Sequence, residues 1–165
     1  MEELLSRAEL FRELDSDGLR RLLAIGNGQT LGAGQYLFLL GGDAAELHVV
    51  VRGKLDLCLP IALRGSVKDI TVESVGAGQA LGWSALVKPY RFTLSARATE
   101  PSEVITFARS DLQHLFEAEP GIGYSLLTRV SELMGIRLVT FQALWVRELQ
   151  RTVDSEARRS AEGKA

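Results

Sequence analysis

Apolar positions change their spacing twice along this chain of 165 residues. Over residues 2–24 leucines recur at helical intervals, and Asp15-Ser16-Asp17 can cap a helix before Leu19. Between Gly26 and Ala108, short apolar runs alternate with glycine-containing turns, a pattern that favours an antiparallel sandwich or barrel. The predicted strands are Tyr36–Leu40, Glu46–Arg52, Lys54–Pro60, Val67–Val75, Leu94–Ala98 and Glu103–Ala108.

The tetrapeptide Gly-Ala-Gly-Gln occurs twice within this section, at residues 32–35 and 76–79. Each copy follows an apolar residue and precedes a new apolar run. Two equivalent turns would suit the paired hairpins of a jelly roll. A chance repeat in a glycine-rich chain is the alternative.

Helical spacing returns after Ser110, and Glu119-Pro120-Gly121 breaks the chain before a long helix predicted over residues 122–151. At about 1.5 Å per residue, this helix would be roughly 45 Å long, more than one small domain can bury. We therefore expect its apolar stripe to meet a second copy; folding back onto the chain's own β-roll is the alternative. The stripe consists of Leu127, Val130, Met134, Leu138, Phe141, Trp145 and Leu149.

Composition and charge limit the classes of function. A hydrophobic content of 46% suits a single globular domain, and the formal net charge of −2 does not favour binding to DNA or to anionic membranes. The sequence contains neither a leader nor an apolar run of membrane-spanning length, so we expect a soluble, cytoplasmic protein. The predicted organisation is a β-roll with N-terminal helices (1–120), a dimerisation helix (121–151) and a solvated tail (152–165).

Cofactor and catalytic chemistry are not predicted. Cys58 is the single cysteine, and only His48 and His114 could add imidazole ligands, so we expect no iron–sulfur cluster, haem or other metal. Residues 76–82 imitate a dinucleotide-binding fingerprint, and residues 82–86 begin like a nucleophile elbow. Both motifs are incomplete and lack the surrounding βαβ or α/β-hydrolase pattern. We therefore expect no enzyme.

The segment Gly82–Ala98 combines a tight glycine turn, a short helical turn and a strand. A glycine followed by one helical turn presents backbone N–H groups that can hold an anion. The side chains decide whether one binds. Here the neighbours are the aromatic residues Trp83, Tyr90 and Phe92.

This order of elements resembles the cyclic-nucleotide-binding domain of the catabolite activator (CRP/FNR) superfamily. The resemblance implies a mainly β fold with flanking helices: a double-stranded β-helix, or jelly roll, with N-terminal helices, a short cassette helix and a long C-terminal helix. The matching residues are Leu10-Phe11 with Leu19, Gly32–Phe38, Gly42-Asp43-Ala44, Val49–Leu55 and Gly82–Leu86.

In nucleotide-binding members of this superfamily, a glutamate directly after the cassette glycine holds the ribose and an arginine on the next strand pairs with the phosphate. Those places fall on Trp83 and Phe92. Losing the charge-assisted hydrogen bond costs about 1.5–3 kcal/mol, and losing the phosphate pair costs roughly 2–5 kcal/mol more. Strand alternation puts Arg91 on the opposite face from Phe92. The candidate ligand-binding residues are Gly82, Trp83, Ser84, Ala85, Tyr90, Arg91 and Phe92.

Two interpretations of the aromatic residues follow. They fill the emptied pocket as extra core, or they form a box for a flat, apolar or cationic ligand, with Ser84 and the backbone amides holding a polar group.

The predicted function is a non-enzymatic sensor that has lost classical cAMP or cGMP binding. It would take an unknown small molecule and signal through its dimer helix to a partner protein. A scaffold with a dead pocket and a cyclic-nucleotide binder with a non-standard pose are the alternatives. The sequence carries no helix-turn-helix pattern after the long helix, so we expect a stand-alone module without direct DNA binding.

Overall fold

The computed structural model describes residues 5–6, 8–63 and 66–162, without the side chains of residue 63 and residues 156–162. The predicted helical position at Leu4 and the last residues of the predicted tail lie outside this range. The described helices are α1 (Ser16–Ala24), α2 (Arg109–Ala118) and α3 (Pro120–Glu162). The described strands are β1 (Gly26–Leu31), β2 (Tyr36–Phe38), β3 (Glu46–Arg52), β4 (Lys54–Leu63), β5 (Ser66–Gly76), β6 (Ala80–Leu81), β7 (Ser95–Ala98) and β8 (Ser102–Ala108).

The strands form two antiparallel sheets, in the orders β1-β8-β3-β6 and β2-β7-β4-β5. Both sheets contribute to one apolar core, which confirms the predicted jelly-roll fold with its flanking helices. Its buried members are Leu31, Val50, Leu55, Leu57, Val75, Leu81, Ala96, Ala98 and Val104.

The first sheet is covered on its other face as well. Four successive residues of β3, Leu47 to Val50, are all buried, so both faces of this strand lie away from water. Phe11 from the N-terminal segment packs edge-to-face on Phe107 of β8, with ring centroids 5.7 Å apart. The segment around Phe11, predicted to be helical, forms turns over residues 9–13, and it supplies an apolar cap to the sheet.

The repeated tetrapeptide forms the same turn twice, which decides between the two interpretations of the repeat in favour of equivalent turns. In each copy the glutamine N–H donates to the first glycine's carbonyl, and the glutamine Oε1 accepts from that glycine's N–H. The third position needs glycine, because Gly34 and Gly78 both have φ = 82°. One turn joins β1 to β2 and the other joins β5 to β6.

Two strands were missed by the sequence analysis, and the end of the long helix was placed too early. β1 is polar and glycine-rich, and β6 has two residues, so neither carries an apolar alternation. Helix α3 begins at Pro120, where a missing N–H costs nothing, and continues past Arg151 to Glu162. The side chains of residues 152–155 are exposed.

The chain divides into two compact units, residues 1–127 and 128–165. The predicted boundary between residues 120 and 121 stays a prediction. Among the described residues, none of the helices combines the length and the apolar content that a membrane span requires.

Candidate functional site

The glycine turn of the predicted cassette follows β6. Gly82 has φ = 80°, and Trp83–Ala85 form one 3₁₀ turn closed by the Ala85 N–H on the Gly82 carbonyl at 2.9 Å. A Cβ atom at Gly82 would lie 3.0 Å from both the Glu46 carbonyl oxygen and the His48 ring. Both the backbone conformation and the available space therefore require glycine here. Ala85 is buried, whereas Trp83 and Ser84 are half-buried.

The segment after this turn is bound to the loop between β2 and β3. The backbone of Phe92 exchanges hydrogen bonds with Gly41 (2.8 Å) and Gly42 (3.0 Å), and the Ala44 N–H donates to the Tyr90 carbonyl at 2.8 Å. Tyr90 has φ = 58°, a left-handed conformation that needs such external support. Regular pairing in β7 begins at Ser95, one residue later than predicted.

Three rings stack inside the site, and we call Phe38, Phe92 and His48 the aromatic cluster. The rings of Phe38 and Phe92 are parallel within 8°, with centroids 3.8 Å apart, and His48 stacks on Phe38 at 5.6 Å. Phe92 is only 7% exposed. The contact distance leaves no room for a ligand between the two phenyl rings.

His48 is held in this cluster as an uncharged ring. Its Nδ1 lies 3.0 Å from the Thr106 hydroxyl, and burial lowers the pKa of His48 to about 4. A neutral imidazole is compatible with stacking on Phe38, because no charge has to be desolvated.

Two arginines near the aromatic residues, the candidate Arg91 and Arg109, have partners within the chain. Arg91 is exposed, and its Nη1 donates to the Gly41 carbonyl at 3.0 Å. The guanidinium of Arg109 lies over the Tyr90 ring, 4.6 Å from its centroid, and also donates to the Ala44 carbonyl at 2.9 Å. The cation that an aromatic box would accept at Tyr90 is thus supplied by the chain itself.

The candidate residues are brought together only in part. Gly82 and Phe92 are close, since a Cβ atom at Gly82 would lie 3.5 Å from the Phe92 ring. Tyr90 contacts Arg109, and Arg91 contacts the Gly41 loop. Sequence analysis missed the parts played by Phe38, His48 and Arg109. Their contacts join residues far apart in the chain, so no local signal could have identified them. Within the described ranges, no group of three or more His, Cys, Asp or Glu residues could hold a metal ion.

The predicted dimer stripe lies along α3. Val130 is buried, and the other six stripe residues are 42–67% exposed. Phe141, Leu144 and Trp145 line a shallow apolar groove on the helix surface. The sequence analysis overlooked a second set of exposed apolar side chains, which lies off the stripe: Ile136, Val139, Val146 and Val153.

Comparison with known proteins identifies the same architecture elsewhere. Residues 28–119 match the family model of the cyclic nucleotide-binding domain, more than half of the chain. A crystal structure from Geobacter metallireducens, of a protein assigned as cyclic nucleotide-binding, has 28% identity and a TM-score of 0.68, covering 83% of this chain and 97% of that one. The N-terminal domain of a Streptomyces coelicolor transcriptional regulator has 25% identity and a TM-score of 0.70, covering 84% and 94%.

A curated relative is far longer. Human patatin-like phospholipase domain-containing protein 6 is 32% identical over an alignment of 126 residues, and the match covers 70% of this chain and 9% of that protein. The chain thus spans about a tenth of the length of this relative.

Proposed function

The chain belongs to the cyclic nucleotide-binding domain family, and from this premise we propose that it is a regulatory domain whose nucleotide pocket is filled by its own side chains. In this proposal it does not take up cAMP or cGMP in the manner of the family's nucleotide-binding members. The observation that carries the proposal is the Phe38–Phe92 stack at 3.8 Å.

Phe92 stands where the resemblance expects the arginine that pairs with the cyclic phosphate. Its side chain is buried against Phe38 and carries no charge, so it offers an anion neither attraction nor space. A nucleotide would have to separate the stacked rings, a contact that contributes about 0.5–1.5 kcal/mol beyond the buried area. It would gain no phosphate pair in return.

A second contact to the nucleotide is missing as well, because Trp83 replaces the glutamate expected to hold the ribose. Arg109 over Tyr90 further supports a filled pocket rather than an open aromatic box, since the face of that ring already has its cation. The interior contacts therefore favour extra core over a different small ligand.

The output of such a domain would be its long helix. The exposed stripe on α3, from Met134 to Leu149, suits pairing with the same helix of a second copy, and we assign the chain as a homodimer on this basis. A regulatory role would then rest on presenting this paired helix to another protein.

Nucleotide titration of the wild-type chain tests the filled pocket. A ligand at a hundred times its Kd adds about 2.7 kcal/mol to the free energy of unfolding, which a thermal-shift assay resolves. We expect no saturable shift with cAMP or cGMP. A saturable shift of that size with either nucleotide contradicts the proposal.

A gain-of-binding variant sharpens the test. Trp83→Glu with Phe92→Arg restores both charged groups, and we expect it to bind cAMP at least tenfold more tightly than Trp83→Gln with Phe92→Leu, the matched uncharged control. Equal cAMP affinity in the two variants would show that residues 83 and 92 are not the reason why the wild-type chain does not bind the nucleotide.

The same thermal-shift assay with aromatic cations tests the alternative of an open aromatic box. A saturable shift that disappears in Trp83→Ala would contradict the filled pocket and indicate a binding site for such a ligand.

A further inference from the structure

Two neighbouring turns carry apolar side chains at the protein surface, where turn residues are usually polar. The first turn closes through the Gly42 N–H on the Leu39 carbonyl at 3.1 Å and exposes Leu39 (58%) and Leu40 (40%). The second closes through the Tyr90 N–H on the Val87 carbonyl at 3.0 Å and exposes Val87 (38%) and Pro89. We call residues 39–41 and 87–91 the paired tips.

The paired tips are fixed to each other. The Arg91 guanidinium donates to the Gly41 carbonyl at 3.0 Å, and the Gly41 N–H donates to the Phe92 carbonyl at 2.8 Å. The buried Phe92 ring then anchors this backbone in the core. Residues 41–44 pair with residues 90–92 in antiparallel order, so the backbone holds the two turns in fixed positions at the two ends of one short paired segment.

The charge of this surface is positive, although the whole chain is slightly acidic. Lys88 and Arg91 are both exposed. Asp43 is the only acidic residue in segments 39–45 and 86–93, and its carboxylate lies 3.5 Å from the Arg109 guanidinium. Two exposed cations therefore flank the apolar side chains without a local excess of negative charge.

We propose that the paired tips bind the surface of a lipid bilayer that contains anionic lipids. The leucines and Val87 enter the headgroup layer, while Lys88 and Arg91 meet the lipid phosphates. Burial of apolar side chains combined with attraction to anionic headgroups is how a protein lies on a membrane without spanning it. This inference is independent of the proposed function, because it uses the outer surface and not the filled pocket.

Vesicle co-sedimentation of the full chain tests the inference. We expect the wild-type chain to pellet with phosphatidylcholine–phosphatidylserine vesicles and much less with pure phosphatidylcholine. Each cation near an anionic surface contributes about fivefold to partitioning, so Lys88→Gln lowers it about fivefold. Leu39→Ser with Leu40→Ser lowers it at least about tenfold, from the lost apolar burial.

The matched control is Ile136→Ser with Val139→Ser, which removes two exposed apolar side chains from α3, outside the paired tips. It should keep wild-type binding. Failure of the wild-type chain to pellet with anionic vesicles overturns the inference, as do equal binding to neutral vesicles and equal loss in the control variant. If the leucine variant unfolds, Lys88→Gln decides, because it alters only an exposed side chain.

Discussion

His48 is the ionisable member of the aromatic cluster, and its ring is almost fully enclosed. Burial lowers its pKa from 6.5 to about 4. The unfolded chain therefore binds a proton at this residue at higher pH than the folded chain does. The stabilisation is fully present above pH 6.5 and is lost as the pH falls from 6.5 towards 4.

Acid should destabilise the fold through this residue. A shift of this size removes about 2 kcal/mol from the free energy of unfolding between pH 7.5 and pH 5. Urea unfolding at the two pH values measures the loss, and His48→Gln should show a loss smaller by that amount. His114→Gln, which changes an exposed histidine, should keep the wild-type difference. An unchanged pH dependence in His48→Gln would show that another group is responsible.

The sequence pattern predicted which way the side chains of Phe92 and Arg91 point, but it did not predict which residues they contact. Alternation along the segment before β7 correctly placed Phe92 inward and Arg91 outward, because neighbouring side chains in extended backbone point to opposite faces. The partners of those side chains, Phe38 and Gly41, come from another part of the chain. Only the closed fold determines that Phe92 stacks on a second ring and that Arg91 meets a carbonyl.

At the scale of elements, Arg109 connects the first turn of α2 to the segment around Tyr90. Its backbone N–H donates to the Ala45 carbonyl at 2.7 Å, while its side chain reaches both Ala44 and the Tyr90 ring. One residue thus joins a helix start, the loop between β2 and β3, and a left-handed tyrosine.

Removing this side chain should loosen the loop more than the core. We expect Arg109→Ala to lower the free energy of unfolding by about 2 kcal/mol, from a charged hydrogen bond and a cation–π contact. Exchange of the Tyr90 and Arg91 amide hydrogens should become faster. Arg52→Ala, which removes an exposed ion pair with Glu103, should change stability by less than about 0.5 kcal/mol. Unchanged exchange of the Tyr90 and Arg91 amides in Arg109→Ala would contradict the connection.

Elements determined by residues close together in the sequence could be predicted, whereas elements determined by pairing with a distant segment could not. The twin Gly-Ala-Gly-Gln turns depend on one glutamine and one left-handed glycine within four residues, so the repeat indicated equivalent turns, with a chance repeat as the alternative. Strand β1 is different, because its polar residues become a strand only by pairing with β8 from Gly26↔Phe107 to Leu31↔Ser102. The sequence of such an edge strand shows no alternation of apolar and polar residues from which it could be predicted.

At the scale of the whole molecule, the two sheets and the long helix raise separate questions. The sheets bury a shared core within residues 1–127. The spacing of apolar residues favoured an antiparallel sandwich or barrel, and the resemblance to the CRP/FNR superfamily specified the jelly roll. Helix α3 exposes apolar side chains on more than one face, which its sequence stripe did not indicate. A stripe shows which residues lie together on a helix but not what covers them.

Self-association through the stripe gives the last prediction. At about 100° per residue, Leu138, Phe141 and Trp145 fall within a narrow arc, whereas Ile136 and Val146 lie well outside it. Phe141→Glu with Trp145→Glu places two carboxylates in the seam of a helix pair and should convert the sedimenting species from two chains to one. Ile136→Glu with Val146→Glu adds the same charge outside the seam and should leave the dimer intact. Circular dichroism checks that both variants keep α3. A wild-type chain that sediments as a single copy, or a dimer that survives the seam variant, would exclude pairing through this stripe.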